Sequence, residues 1–207
     1  MIKKLSIIIP AWNEEKTITQ LVEKVLKASI PQVQEKEIII INDGSKDNTM
    51  QRIKELEQKY KEVHAFENEK NVGKTQTVKN GILKSTGELV IIQDADFEYD
   101  PEEIQLLVDL LIKNDLDVVY GDRFGKKNGR GYMQNYLGNI FLSFCSNIFT
   151  YPKLKVWIPD MEVCYKLIKG DVAREVGAKI STTSRFGLEP EITARLAKYK
   201  KDGHRLK

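Results

Sequence analysis

Leu89-Val90-Ile91-Ile92-Gln93-Asp94-Ala95-Asp96 decides how this chain is read. The apolar run is short and bounded by polar residues, the pattern of a buried strand. It ends in two carboxylates spaced i, i+2, which on a strand would share one face. Like charges that close are costly unless a cation sits between or beside them. Hard oxygen ligands suit Mg2+ or Mn2+, and such a cation normally shares its shell with phosphates. The pair therefore points to a divalent metal holding a nucleoside diphosphate, at the edge where open α/β sheets bind ligands. The plainer reading, a solvated acidic strand end, is weighed against the surrounding sequence.

On both sides of this run, short apolar runs alternate with helical periodicity. Leu5 to Ile9, Glu37 to Ile41, Val63 to Phe66 and Asp117 to Tyr120 read as strands. Ile18, Leu21, Val22, Val25 and Leu26 fall on one helix face, as do Met50, Ile53, Leu56 and Tyr60. Lys74 to Lys84 reads as a helix. Asp100 is an N-cap with Pro101 at the first helical position, ahead of Ile104, Leu107, Val108, Leu111 and Ile112. This βαβα series predicts an α/β fold, a three-layer α/β/α arrangement around a mostly parallel central sheet.

After residue 125 the pattern changes. A glycine-rich basic loop, 126–131, precedes a helix expected from Tyr132 to Tyr151. A strand is expected from Met161 to Ile168, and helices over Asp171 to Val176 and Pro190 to Lys200. No linker separates the two parts, so residues 1–207 are read as one domain with a grafted subdomain. The aromatics Tyr132, Tyr136, Phe141, Phe144 and Phe149 are read first as core beneath the second half of the fold. An interfacial helix meeting a bilayer is the other reading.

Composition narrows the class. The 207 residues, 41% hydrophobic and 30% charged, describe a globular chain with a real core. Residues 1–125 hold 17 Lys/Arg against 23 Asp/Glu, and residues 126–207 hold 16 against 7. The second part thus carries +9 and suits phosphates or an anionic membrane surface. A lysine-rich soluble surface explains that balance equally well, and no nucleic-acid partner is called for. Cys145 and Cys164 form no paired motif and are read as core residues. His64 and His204 lie too far apart in sequence to suggest zinc. No signal peptide or spanning helix is read in the chain, so a cytoplasmic protein, at most peripheral to a membrane, is expected.

Each predicted strand runs into a polar loop on the same sheet edge. These are Pro10-Ala11-Trp12-Asn13-Glu14, Asp43-Gly44-Ser45-Lys46-Asp47-Asn48-Thr49, Asn71-Val72-Gly73-Lys74, Asp94-Ala95-Asp96 and Gly121-Asp122-Arg123-Phe124. In a parallel sheet such loops converge on one crevice. Together with Asp160-Met161-Glu162-Val163-Cys164-Tyr165-Lys166 and Phe186-Gly187-Leu188-Glu189-Pro190-Glu191, they resemble the glycosyltransferase family 2 catalytic domain, of GT-A fold. The subgroup they resemble is the polyprenyl-phosphate (dolichyl-phosphate) sugar synthases.

The resemblance implies a nucleotide-sugar-binding half, 1–125, and an acceptor-binding half, 126–207. It implies that Pro10, Trp12, Glu14 and Asp43 bind the nucleotide of a GDP- or UDP-sugar. Lys74 would sit near the donor, Asp94 would approach nucleotide or metal, and Asp96 would ligate Mg2+ or Mn2+. Arg123 would hold phosphate oxygens. The chain departs from the pattern at Trp12 (usually tyrosine), Asn42 (commonly aspartate) and Glu98 (often glutamine). A carboxylate at Glu98 would add a third metal ligand. Relatives usually continue beyond the point matching Lys207.

Inverting displacement is implied, with a polyprenyl phosphate as favoured acceptor. Such a phosphate, with a second pKa near ~6, needs a basic clamp rather than a base. Were the acceptor a sugar hydroxyl, Asp160 is the best candidate base, with Glu189 and Glu191 weaker. A hydroxyl-directed family 2 enzyme and a non-catalytic nucleotide-sugar scaffold are the alternatives. Gly73-Lys74-Thr75 is no P-loop, since position 68 is asparagine. The first loop lacks the glycines of a dinucleotide fold.

Overall fold

A computed structural model describes residues 1–122, 136–184, 187–201 and 204–207. The apolar runs form β1 (Ile2–Ala11), β2 (Val33–Asn42), β3 (Val63–Glu67) and β4 (Leu89–Ile92). β5 (Val118–Tyr120) and β6 (Lys166–Lys169) complete a six-stranded sheet of order β3-β2-β1-β4-β6-β5. β1 pairs in parallel with both β2 and β4, and β2 in parallel with β3; β6 runs antiparallel between β4 and β5. β1, β2 and β4 are apolar through their middles because both sheet faces are covered.

The helices are α1 (Ile18–Lys27), α2 (Thr49–Lys59), α3 (Lys74–Lys84), α4 (Ile104–Lys113), α5 (Tyr136–Leu154), α6 (Gly170–Ala178) and α7 (Leu188–Lys198). From β1 the chain steps outward to β2 and β3 through α1 and α2, which pack on each other. It then returns across the sheet through α3 to β4. Right-handed crossovers put that returning helix on the opposite face. There α3 packs on α6, α6 on α7, and α7 on α5. Asp100 caps as expected, its side chain accepting from Glu102 N, but the turn it starts is a 3-10 turn, Pro101–Glu103, that leads into α4. A small β7–β8 pair, Lys200–Lys201 with His204–Arg205, ends the chain. Among the described residues no helix is long and apolar enough to cross a membrane.

Two sequence expectations need correction. The strand expected over Met161 to Ile168 shrinks to Lys166–Lys169. Met161, Val163, Cys164 and Tyr165 are apolar because they are buried in a turn: Cys164 N donates to the Tyr99 hydroxyl, and Tyr165 O accepts from Gly121 N. Buried Lys166 steadies that turn by donating to Val163 O. The core reading of the aromatics also fails for Phe141, Phe144 and Phe149, which are exposed on α5.

A buried carboxylate ties the sheet's middle together. Glu37 on β2 accepts from Ser6 Oγ on β1, from Thr86 N at 2.9 Å and from Thr86 Oγ1 at 2.7 Å, while Ser6 Oγ accepts from Gly87 N. Burial pushes the Glu37 carboxyl up, but the hydrogen bonds from Ser6 and Thr86 outweigh it and hold it below its usual value. A carboxyl depressed in the folded state contributes stability above its unfolded pKa, about 4.3, and loses it as pH falls through the folded value. Glu37→Ala is expected to cost about 3 kcal/mol at neutral pH, because three donors lose a charged acceptor. Urea unfolding at neutral and acid pH checks this: Glu37→Gln should lose less stability on acidification than the parent chain.

Candidate active site

Strand order reverses between β1 and β4, the switch point at which open α/β sheets leave a crevice. A cleft of about 570 Å³ lies there. Pro10, Trp12 and Glu14 reach it from the end of β1, Asp43 from the end of β2, Lys74 from the start of α3, and Asp94, Asp96 and Glu98 from beyond β4. All eight residues expected at the donor site within the described chain therefore line one space. Arg123 lies outside the described residues.

The loops that carry them are built locally. Asn13 has φ 58, its N donating to Ser45 Oγ and its Oδ1 accepting from Lys46 N, so the first two loops brace each other. Glu14 donates through its N to Thr49 Oγ1 at 2.7 Å, and its carbonyl accepts from Ile18 N at the head of α1. Trp12, half exposed, also lines a second groove with Ser45, Lys46, Asn68 and Lys70, so an aromatic face stands between the two spaces.

Asp43 is buried, and its carboxylate organises the 71–73 loop. Oδ1 accepts from Asn68 Nδ2 and Val72 N, and Oδ2 from Gly73 N, each at 2.9 Å. Gly73 has φ 85, a conformation costly for any residue with a Cβ, and it turns the chain into α3. That turn delivers Lys74 into the cleft.

Lys74 Nζ lies 2.7 Å from Asp94 Oδ1, 3.0 Å from Oδ2 and 3.4 Å from Glu189 Oε1. Burial disfavours the ammonium, yet the contacts with Asp94 and Glu189 outweigh it, and Lys74 is held above its usual value. The Cys164 thiol is itself pushed well up, chiefly by burial and then by Asp94. Cys164 is therefore neutral at neutral pH, and the two carboxylates are the anions that keep Lys74 charged. Glu189 arrives because α3 grips the 180–184 segment: Thr75 Oγ1 donates to Ser184 O, Gln76 Nε2 to Thr182 O and Lys79 Nζ to Ile180 O. Its place in the first turn of α7 favours a negative charge.

The carboxylates were expected to gather a metal through Asp94, Asp96 and Glu98. The structure divides them. Asp94 meets Lys74 through both of its oxygens. Asp96 Oδ1 accepts from Glu98 N at 2.9 Å, and both side chains are exposed at the cleft. Among the described residues no three His, Cys, Asp or Glu side chains form a closed cation cage. Mg2+ or Mn2+ arriving with phosphates keeps waters and needs only one or two carboxylates, a demand that Asp96 and Glu98 fit.

Asp160, the candidate base, does not come to the cleft. It is 1% exposed, and the chain turns after it so that Glu162 and Cys164 line the cleft instead. Sequence reasoning also missed Tyr99 and Asn139 as lining residues. The ring of Tyr99 stacks on Tyr165 at 4.7 Å. No local signal marks Asn139 or Glu162, because only tertiary packing brings α5 and the 160–165 turn to the edge of β4.

A six-stranded, mostly parallel sheet with a switch-point cleft at its edge is an α/β fold of the GT-A class. The profile described as glycosyl transferase family 2 matches residues 6–177, and the chain belongs to that family. It is 27% identical over 178 residues to a dodecaprenyl-phosphate galacturonate synthase of Rhizobium johnstonii, an alignment covering 84% of this chain and 50% of that protein. It is 32% identical over 123 residues to a dolichol-phosphate mannosyltransferase of Pyrococcus furiosus, covering 59% and 34%. The chain thus spans half or less of these two relatives. Glucosyl-3-phosphoglycerate synthase from Mycobacterium tuberculosis, crystallised with Mn2+, UDP and phosphoglyceric acid, shares the fold at TM-score 0.66 and 18% identity, over 99% of this chain and 66% of that one.

Proposed function

We propose that this glycosyltransferase moves a sugar from a GDP- or UDP-sugar to a polyprenyl phosphate, with inversion at the anomeric carbon. The observation that carries the reading is the convergence of Trp12, Asp43, Lys74, Asp94, Asp96 and Glu98 on one switch-point cleft. Names of the relatives support the acceptor: both act on a polyprenyl-type phosphate.

Trp12 offers its ring face to the base, and Glu14 a carboxylate to ribose hydroxyls. Asp43 holds the 71–73 loop in place at the cleft. Lys74, fixed by Asp94 and Glu189, places a positive charge in the donor cleft. Asp96 and Glu98 would hold the divalent cation, which when bound supplies charge stabilisation to the leaving diphosphate. An acceptor phosphate oxygen attacks the anomeric carbon as the bond to the nucleoside diphosphate breaks, and the electron pair leaves with the diphosphate. A dianionic phosphate gives up no proton in this step, so the absence of Asp160 from the cleft does not obstruct it.

Glu162 favours a second reading. It is a carboxylate at the cleft from the acceptor half, placed to serve as general base toward a sugar hydroxyl. Radiolabelled donor offered with dolichyl phosphate, undecaprenyl phosphate or free oligosaccharide separates the two. The proposal expects label in the organic phase with a polyprenyl phosphate and none on oligosaccharide. Label on oligosaccharide alone, lost in Glu162→Gln, would establish the second reading.

A further inference from the structure

Lys74 faces three carboxylate oxygens: Asp94 Oδ1 at 2.7 Å, Asp94 Oδ2 at 3.0 Å and Glu189 Oε1 at 3.4 Å. An ammonium has three protons, and these contacts account for all of them. Lys74 can therefore meet a phosphate oxygen only if one carboxylate lets go. Among the described residues lining the cleft, seven carboxylates stand against this single ammonium. Which of them keeps it decides where the positive charge sits.

The two partners are anchored differently. Glu189 is buried in the first turn of α7, where the helix favours its negative charge. Thr193 Oγ1 donates to Glu189 O at 2.9 Å, and the hydroxyl of Tyr120, the last residue of β5, meets Thr193 Oγ1 at 2.9 Å. In the same turn Glu191 Oε1 accepts from Ser181 N and Oε2 from Thr182 N, each at 2.9 Å. The turn is thus held both to the sheet and to the segment that α3 grips, so Glu189 stays where it is. Asp94 lies just beyond β4, two residues before Asp96. A divalent cation carried to Asp96 by a diphosphate draws Asp94 more strongly than an ammonium does, because attraction scales with charge. Once Asp94 yields, a small turn of the flexible lysine stem closes the 3.4 Å contact to Glu189.

We propose that Glu189 is a positioning residue of this cleft: when the donor's diphosphate and its cation engage Asp94, Glu189 retains Lys74, whose freed protons turn to the phosphate oxygens. Glu189 acts through Lys74 and does not touch the donor. The inference rests on the assignment of the cleft to a nucleotide-sugar donor and adds a part that α7 supplies to it.

Calorimetry with GDP and UDP in Mn2+ tests this, because neither probe carries a sugar. Glu189→Gln, which keeps the shape and removes the charge, should weaken nucleotide binding by about tenfold. Lys74→Met should weaken it by at least about tenfold. The double variant should bind within about twofold of Lys74→Met alone, since Glu189 then has nothing to position. A second arm needs no Glu189 variant. Mn2+ without nucleotide, followed by electron paramagnetic resonance, should bind Lys74→Met about tenfold more tightly than the parent chain, because Asp94 is released from its ammonium. Parent affinity in Glu189→Gln overturns the proposal and is the result expected if Glu189 touches only the sugar. A double-variant loss equal to the product of the two single losses overturns it and marks a general structural role. Mn2+ affinity unmoved by Lys74→Met overturns it as well. No nucleotide binding by the parent chain would remove the donor assignment itself, and this inference with it.

Discussion

Lys74→Met should lower glycosyl transfer by about 10²–10³-fold, the usual loss when one preorganised electrostatic group leaves a water-poor site. The methionine keeps much of the volume and removes the cation that bridges Asp94 and Glu189. Both carboxylates are largely shielded, so their repulsion is then uncompensated. A stability loss of about 2 kcal/mol is expected, below the range for fully buried pairs because Lys74 is itself one-third exposed. Lys74→Arg keeps the charge and should recover stability ahead of activity, since the planar guanidinium cannot reproduce the same three contacts. Parallel urea midpoints and transfer rates measure both. Unchanged transfer in a folded Lys74→Met protein would remove Lys74 from the mechanism.

Asp43→Ala should abolish detectable nucleotide binding and destabilise the chain by about 3 kcal/mol. Its carboxylate accepts from Asn68 Nδ2, Val72 N and Gly73 N, and two of those donors are backbone groups of the loop that ends at Lys74. Without the acceptor, the left-handed turn at Gly73 loses its anchor and Lys74 its placement. Asp43→Asn retains an acceptor oxygen and should lose less on both counts. Calorimetry and thermal unfolding of the two variants separate loop organisation from direct nucleotide contact: if Asp43 only touched the nucleotide, stability would stay at the parent value.

Much of this architecture is legible in the residues. Ile7-Ile8-Ile9, Ile38 to Ile41 and Leu89 to Ile92 are apolar without alternation, as strands covered on both faces must be. Ile18, Leu21, Val22 and Val25 are buried on α1 as their spacing predicts. The cleft is legible for a related reason: parallel strands send successive loops to one edge, so polar residues after each strand meet without any long-range information.

What the sequence hides is whatever long-range packing decides. Glu189 reaches Lys74 from 115 positions away in the chain, through bonds between α3 and the 180–184 segment. Met161 to Tyr165 reads as strand because apolar residues signal burial and not the conformation in which they are buried. Phe141, Phe144 and Phe149 read as core because aromatics normally are, and only the burial of Ser143 and Asn147 reveals which face of α5 points inward. The Asp94–Asp96 pair pointed to a metal, and nothing local in the sequence showed that Asp94 also pairs with the chain's own Lys74.

Calorimetric titration with GDP and with UDP, each in Mn2+ and in EDTA, tests the donor site most directly. Binding of one nucleotide that needs the metal, and that weakens at least about tenfold in Asp96→Asn, is the predicted result. No binding of either nucleotide by the folded protein, or metal-dependent binding that Asp96→Asn leaves unchanged, would contradict the assignment of this cleft to a nucleotide-sugar donor.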